Sequence, residues 1–168
     1  MTDWESILRA EGPAVWRSAR RLVGNDADAD ECFQEAFIGA LEFSHKNSVK
    51  NWRALLTRLA IARAIDHLRR KGRRDSREET ADWEKIGRVG ALPGEQAEMA
   101  ELSQLLRNAL AEIPPQQAEV FCLACLDGWS HAEIAAHLAI SVDSVGVTVY
   151  RARQKLQSLL ASINEVSG

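Results

Sequence analysis

Long apolar runs are missing from this chain. Nothing in its 168 residues approaches the roughly 20 consecutive apolar residues that span a bilayer. The opening MTDWESILRAEG is too acidic for a secretory signal, so a cytoplasmic protein without membrane insertion is expected. Cysteine is scarce: Cys32, Cys122 and Cys125 are odd in number and lie in apolar segments, which suits reduced core thiols better than a disulfide framework. Glycine and proline are sparse, as ordinary soluble domains require. No phosphate loop, paired carboxylates or ligand cluster passes the spacing tests for catalysis, so neither an enzyme nor a cofactor is expected. Asp26, Asp28 and Asp30 imitate the start of a calcium loop, but Glu31 replaces its turn glycine and Phe37 its closing glutamate. Cys122 and Cys125, with His131 and His137 nearby, raise zinc as an alternative to core packing. No second matching pair follows, and packing is favoured.

Positive charge, by contrast, is concentrated. Residues 46 to 77 hold eleven Lys and Arg against Asp66 and Asp75, while the whole chain carries a net charge of −3. One basic block therefore sits among acidic neighbours. Its spine, NWRALLTRLAIARAIDHLRRKGRR, reads as a polyanion-binding helix, because each cation that meets a phosphate releases a condensed counterion. A solvated helix face is the bland alternative. Trp52 at the head of the block adds a flat surface for an unpaired base.

Apolar periodicity predicts helices nearly throughout. The first covers Asp3 to Val23, with a kink or break at Gly12-Pro13. Asn25 or Asp26 caps a second, DADECFQEAFIGALEF, whose inward stripe is Cys32, Phe33, Ala36, Phe37, Ala40 and Leu41. Asp28, Glu31, Gln34 and Glu35 share its outer face, suiting a basic partner or plain solvation. A third helix, from about Val49 to Lys71, turns Trp52, Leu55, Leu56, Leu59, Ala60, Ala62, Ile65 and Leu68 inward, although two of its faces are apolar. Gly72 to Pro93 lacks a period and reads as a linker, with Trp83, Ile86 and Val89 as docking points. Beyond it, Met99, Leu102, Leu105, Leu106, Ala109 and Leu110 line one helix and Pro114-Pro115 ends it.

The last third has helix-turn-helix arithmetic. Ser130 caps a short helix with Ile134, Ala135 and Leu138 inward. Ala139-Ile140 make the turn. Ser141 caps a longer helix with Val142, Val145, Val149 and Leu156 inward. Such a pair either reads DNA or serves as a structural hairpin. In the first case Asp143, Ser144, Val147, Thr148 and Arg151 reach a major groove.

With these residues in view, the chain resembles the extracytoplasmic-function (ECF) sigma factors of bacterial RNA polymerase over nearly everything but the linker. DADECFQEAF is similar to that family's acidic polymerase-binding helix, the basic block to its minus-ten segment, and IPPQQAEVFCLACLDGWSHAEIAAHLAISVDSV to its minus-thirty-five domain. The resemblance implies an all-α protein of two small domains: a three-helix bundle at 1–72, a flexible linker at 73–94, and a four-helix domain with the helix-turn-helix at 95–168. It implies that Asp28, Asp30, Glu31, Gln34 and Glu35 engage core polymerase. The loop His45 to Asn51 would take a flipped base, with Lys46, Asn47, Lys50, Asn51, Trp52 and Arg53 around it. His67, Arg70, Lys71, Arg73 and Arg74 would hold the adjacent duplex. Ser141, Asp143, Ser144, Val147, Thr148, Arg151 and Arg153 would face the minus-thirty-five element. Core polymerase, promoter DNA and an anti-sigma factor are the implied partners.

Departures from the family pattern are concentrated in the upstream-reading domain. Gly146 and Thr148 stand where a Lys and an Arg are usual, Val147 replaces a small polar residue, Gln116 and Ala118 replace arginines, and Ala139 replaces a turn glycine. Leu55 and Ala62 stand for a frequent Trp and Asn. A sigma mimic that binds an anti-sigma factor without reading promoters is therefore the alternative function. One-component repression would leave residues 1–71 unexplained. If Gly146 holds the assigned place, Gly146→Lys tightens upstream DNA binding by about 1 kcal/mol. Equal affinity of the two proteins across upstream sequences would remove Gly146 from that position.

Overall fold

The computed structural model describes residues 1–77 and 94–167. The described residues form seven helices and no strand: α1 (Trp4–Val23), α2 (Asp26–Lys46), α3 (Trp52–Arg77), α4 (Gly94–Glu112), α5 (Pro115–Phe121, continuing as a π-helical turn over Cys122–Leu126), α6 (His131–Leu138) and α7 (Val142–Ser167). Most of the expected linker, with Trp83, Ile86 and Val89, lies outside the described residues. Its edges are helical: α3 runs through Arg77, six residues beyond the expected end, and α4 starts at Gly94. Gly72 costs a helix about 1 kcal/mol relative to alanine. That cost is not enough to end α3, and Gly72 lies close to α4, where an added Cβ would meet the Ala111 Cβ at 3.7 Å.

Local signals fix the helix ends. Asp3 caps α1 by accepting from the Ser6 N–H at 3.2 Å. Gly24 closes it in the left-handed conformation at φ 85°, its N–H donating to the Arg20 carbonyl. Asn25 then caps α2, accepting from the Asp28 N–H at 2.9 Å. The expected break at Gly12-Pro13 is absent, because α1 passes through Pro13 as one helix. Gly12 is buried, with Phe33 and Leu8 3.5 Å from where a Cβ would sit.

α3 is the axis of the molecule. It packs against α1 and α2 on one side and against α4 and α5 on the other. Ala54, Leu55, Leu56, Thr57, Ala60, Ile61, Ala64, Ile65 and Leu68 are buried; at 100° per residue they cover about three quarters of its circumference. Its two apolar faces thus have two partners. The alanines Ala29, Ala36 and Ala40 let α2 approach closely, and one continuous core runs from Val15 to Leu156. Several expected inward residues stay on the surface: Leu41 is 39% exposed, Met99 70%, Leu102 61% and Val142 49%. Leu41 and Val142 lie at the ends of their stripes.

Four arginines bind the N-terminal helices to the C-terminal ones, each donating to backbone carbonyls at or beside the carboxyl end of a helix in the opposite half. Arg21 reaches the Leu126 carbonyl at 2.6 Å, Arg58 that of His137 at 2.7 Å, Arg69 that of Ile113 at 2.9 Å, and Arg107 that of Arg21 at 3.2 Å. Those carbonyls lack intrahelical donors and carry the negative end of the helix dipole. Ser18, buried in α1, adds a 2.7 Å bond to Asp127.

The tight turn between α6 and α7 contains the one positive-φ non-glycine among the described residues, Ala139 at φ 55°. Its Cβ crowds the backbone there at a cost of about 1–2 kcal/mol. Ala139→Gly is therefore expected to stabilise the protein by about 0.5–1 kcal/mol, after the extra unfolded-state freedom of glycine is subtracted. A rise in the urea midpoint at unchanged slope would show it.

Candidate nucleic-acid interface

The geometry of α3 sorts the basic block into groups. Arg58 and Arg69 face the C-terminal half and are occupied by its carbonyls. His67 leans on α2, with Nε2 3.1 Å from the Asp28 carboxylate. Arg63, Arg70 and Arg74 lie on the remaining exposed stripe of the helix. Arg63 is 3.8 Å from Glu35; Arg70 and Arg74 form no ion pair among the described residues. Lys71 and Arg73 are exposed at the carboxyl end, where Arg73 Nε donates to the Arg69 carbonyl at 3.4 Å. Two of the expected duplex contacts, Arg70 and Arg74, thus present unshared charge, whereas His67 is committed to Asp28.

At the other end of α3 the short loop after α2 closes an open cavity of about 510 Å³, lined by Thr2, Asp3, Ser6, Asn47, Ser48 and Trp52 among others. Asn47 caps α2, its amide donating to the Phe43 carbonyl. Asn51 accepts from the Ala54 N–H at 3.1 Å and so starts α3. Both asparagines therefore set the loop ends as well as facing solvent. Trp52 is half-buried, with Trp4 edge-on at 5.0 Å and 70°, which leaves it a wall of the cavity rather than a free platform. Lys46 and Lys50 are exposed beside it. Arg53 is held by Glu11. The cavity is large enough for a small planar ligand.

The acidic residues of α2 divide as well. Asp28 bonds Asn25 and His67. Burial pushes its carboxyl up, the Asn25 amide and His67 outweigh this, and the group lies below its ordinary value. Asp30 accepts from the Trp16 indole at 2.7 Å. Glu31 and Gln34 point to solvent, and Ile38, one turn on from Gln34, is 57% exposed. Ile38 was not singled out from sequence, although its spacing from Gln34 and Glu31 places it on that row. Asp28, Glu31 and His67 offer donor atoms within 4.8 Å of one another, a grouping that the 3.1 Å Asp28–His67 contact brings together. Cys122 is buried, its thiol pushed far up by burial and by Asp127; Cys32 is pushed up to about 11 by burial and by Glu35. Both behave as core thiols.

In the helix pair, Ser130 and Ser141 accept from the Glu133 and Ser144 N–H groups, as expected of caps. Asp143, Ser144, Val147 and Arg151 are exposed along one flank of α7. Thr148 is half-buried, its hydroxyl turned back to the Ser144 carbonyl at 2.7 Å. Arg153 departs from this flank and reaches Cys125 Sγ at 3.4 Å. Tyr150, 61% exposed and bonded to Gln154, shares the flank with Val147; its place three residues after Val147 was the signal for it.

Residues 7–74 match sigma-70 region 2 and residues 103–156 match sigma-70 region 4. The chain belongs to the sigma-70 family, in its ECF group. It is 28% identical over 161 residues to the ECF RNA polymerase sigma factor SigE of Mycolicibacterium smegmatis, covering 96% of this chain and 63% of that one. It is 26% identical over 160 residues to the ECF RNA polymerase sigma factor SigW of Bacillus subtilis, covering 89% and 84%. Among solved structures, the sigma factor RpoE in complex with the anti-sigma factor NepR from Bartonella quintana aligns with a TM-score of 0.54 at 21% identity, over 96% of this chain and 98% of that one. CnrH in complex with the cytosolic domain of CnrY aligns at 0.56 and 24%, over 94% and 87%. These likenesses bear on the fold. No single helix among the described residues is long and apolar enough to cross a membrane.

The Arg58 contact makes the docking of the two halves sensitive to pH. Burial, and then the Arg58 charge, hold His137 below its ordinary value of 6.5. Separation withdraws Arg58 from His137, so the separated halves bind more protons there, and docking, at full strength above pH 6.5, weakens as pH falls below it. Energy transfer between labels on α2 and α7 should fall on acidification, and Arg58→Gln should lower it at pH 7.5 by weakening docking about 1 kcal/mol. Transfer insensitive to both changes would show that Arg58 does not hold the halves together.

Proposed function

We propose that this chain is the promoter-selecting subunit of a bacterial RNA polymerase, binding core enzyme and helping to open DNA at the minus-ten element. The carrying observation is the exposed cationic stripe of Arg63, Arg70 and Arg74 on the helix that also walls the Trp52 cavity. Melting needs both features: cations for the parted backbone and a recess for an extruded base. The domain expected at 1–72, with α3 carrying on through Arg74, supplies both, the expected linker after it connects, and residues 95–168 carry the upstream-reading helix pair. Glu31, Gln34 and Ile38 form the outward part of the polymerase face, with Asp28, Asp30 and Glu35 tied into the fold behind it. The protein works in the cytoplasm and performs no bond chemistry; phosphodiester synthesis belongs to the polymerase.

An anti-sigma factor is the natural negative partner. One solved structure named above is of a sigma factor bound to an anti-sigma factor and the other of CnrH bound to the cytosolic domain of CnrY, and this chain shares their fold. The family's polymerase role supports a reading in which the halves separate before promoter DNA is engaged. Polymerase reconstituted with this protein should initiate from a promoter subset that core enzyme alone ignores. Arg70→Gln with Arg74→Gln should reduce open-complex formation at least tenfold, as about one kcal/mol per lost phosphate contact predicts, while leaving polymerase binding intact. Permanganate footprinting reads the opening. Melting unchanged in the double variant would remove the stripe from the mechanism, and binding to an anti-sigma factor without any promoter selection would identify a mimic.

A further inference from the structure

A second cavity, of about 400 Å³, lies between the carboxyl end of α3 and the face of α4, walled by Arg69, Lys71, Arg73, Arg107, Asn108 and Glu112 among others. Its size falls among small-molecule sites, and among the described residues its walls carry four cations against one carboxylate. Arg69, Lys71 and Arg107 form no ion pair among the described residues. Arg107 is the sharper anomaly. One of its terminal nitrogens donates to the Arg21 carbonyl, but its Nε is closed off from solvent with no acceptor. Its guanidinium is crowded over Gly24, where an added Cβ would lie 2.9 Å from the guanidinium carbon. Desolvation and then the nearby Arg20 work against its charge. A guanidinium so buried is costly unless an anion offsets its charge, and because the Nε lies out of a ligand's reach, an anion in the cavity would meet the terminal nitrogens. Beside it, Gln104 donates to the Asn108 carbonyl oxygen at 2.9 Å, leaving the Asn108 amide nitrogen as a further donor.

We propose that this cavity binds a small phosphorylated anion, gripped by Arg107 and Lys71 with Arg69 behind them. Guanidinium groups match phosphate oxygens in paired bonds, and an ammonium adds a point charge. Because the walls come from both halves, an anion bound here stabilises the docked arrangement by mass action. The ligand would therefore act as a staple, holding the upstream-reading helices against α3. Binding stands apart from the role in transcription; only its consequence for initiation rests on that role.

Calorimetric titration of the full-length chain with pyrophosphate, and separately with ADP, tests the site without polymerase or promoter. One anion per chain is expected from at least one of them, the two arms separating a bare phosphoanion site from a nucleotide site. Arg107→Gln is expected to weaken binding about tenfold and Lys71→Gln severalfold, as loss of charge-assisted bonds predicts. Arg9→Gln, a remote surface cation, should change it less than about twofold. Lys71 is exposed, so its variant remains informative if Arg107→Gln fails to fold. Pyrophosphate should also raise energy transfer between labels on the two halves. Absence of saturable binding by either probe, or equal affinity in Lys71→Gln and the parent, would overturn the proposal. So would a short DNA duplex that binds through these cations when neither small anion does.

Discussion

An arginine from one half laid on the carboxyl end of a helix from the other is the contact on which the arrangement of this molecule depends. Arg21, Arg58, Arg69 and Arg107 repeat it. Each spans the boundary between region 2 and region 4, and each pairs a cation with carbonyls that would otherwise need water. Such contacts are directional and partly exposed, so they set how the halves sit more than how tightly they hold. The apolar packing of α4 and α5 on α3 supplies the rest.

This device also divides the labour of the basic block. A helix with cations on every side cannot offer all of them to DNA while one flank is docked. Arg58 and Arg69 donate to backbone carbonyls of the other half; Arg70 and Arg74 stay exposed, with no ion pair among the described residues. The same division appears on α2, where Asp28 and Asp30 are tied to His67 and Trp16 while Glu31 and Gln34 face outward. In both helices, residues that look equivalent in sequence differ in availability because neighbouring helices claim some of them.

That is also where reading the sequence stopped. The caps at Asn25, Ser130 and Ser141, the inward stripe of α2 as far as Ala40, and the two apolar faces of α3 were all legible, because spacing along one helix determines them. Family resemblance placed the regions in order. Contacts between helices distant in the chain were not legible: nothing in the letters around Arg58 indicates that its partner is the carbonyl of His137. The unbroken run of α1 through Pro13 and the continuation of α3 past Gly72 show tertiary packing overriding local propensity. Leu41, Val142, Met99 and Leu102 show the converse, a periodic apolar residue with no neighbour to cover it.

The single core that joins both regions has a further consequence for how the protein can be switched. Prising α4 and α5 away from α3 uncovers apolar surface along the middle of the chain, which water resists. Any partner that kept the halves apart would have to lend an oily surface in exchange, and without one the chain gains by staying folded up.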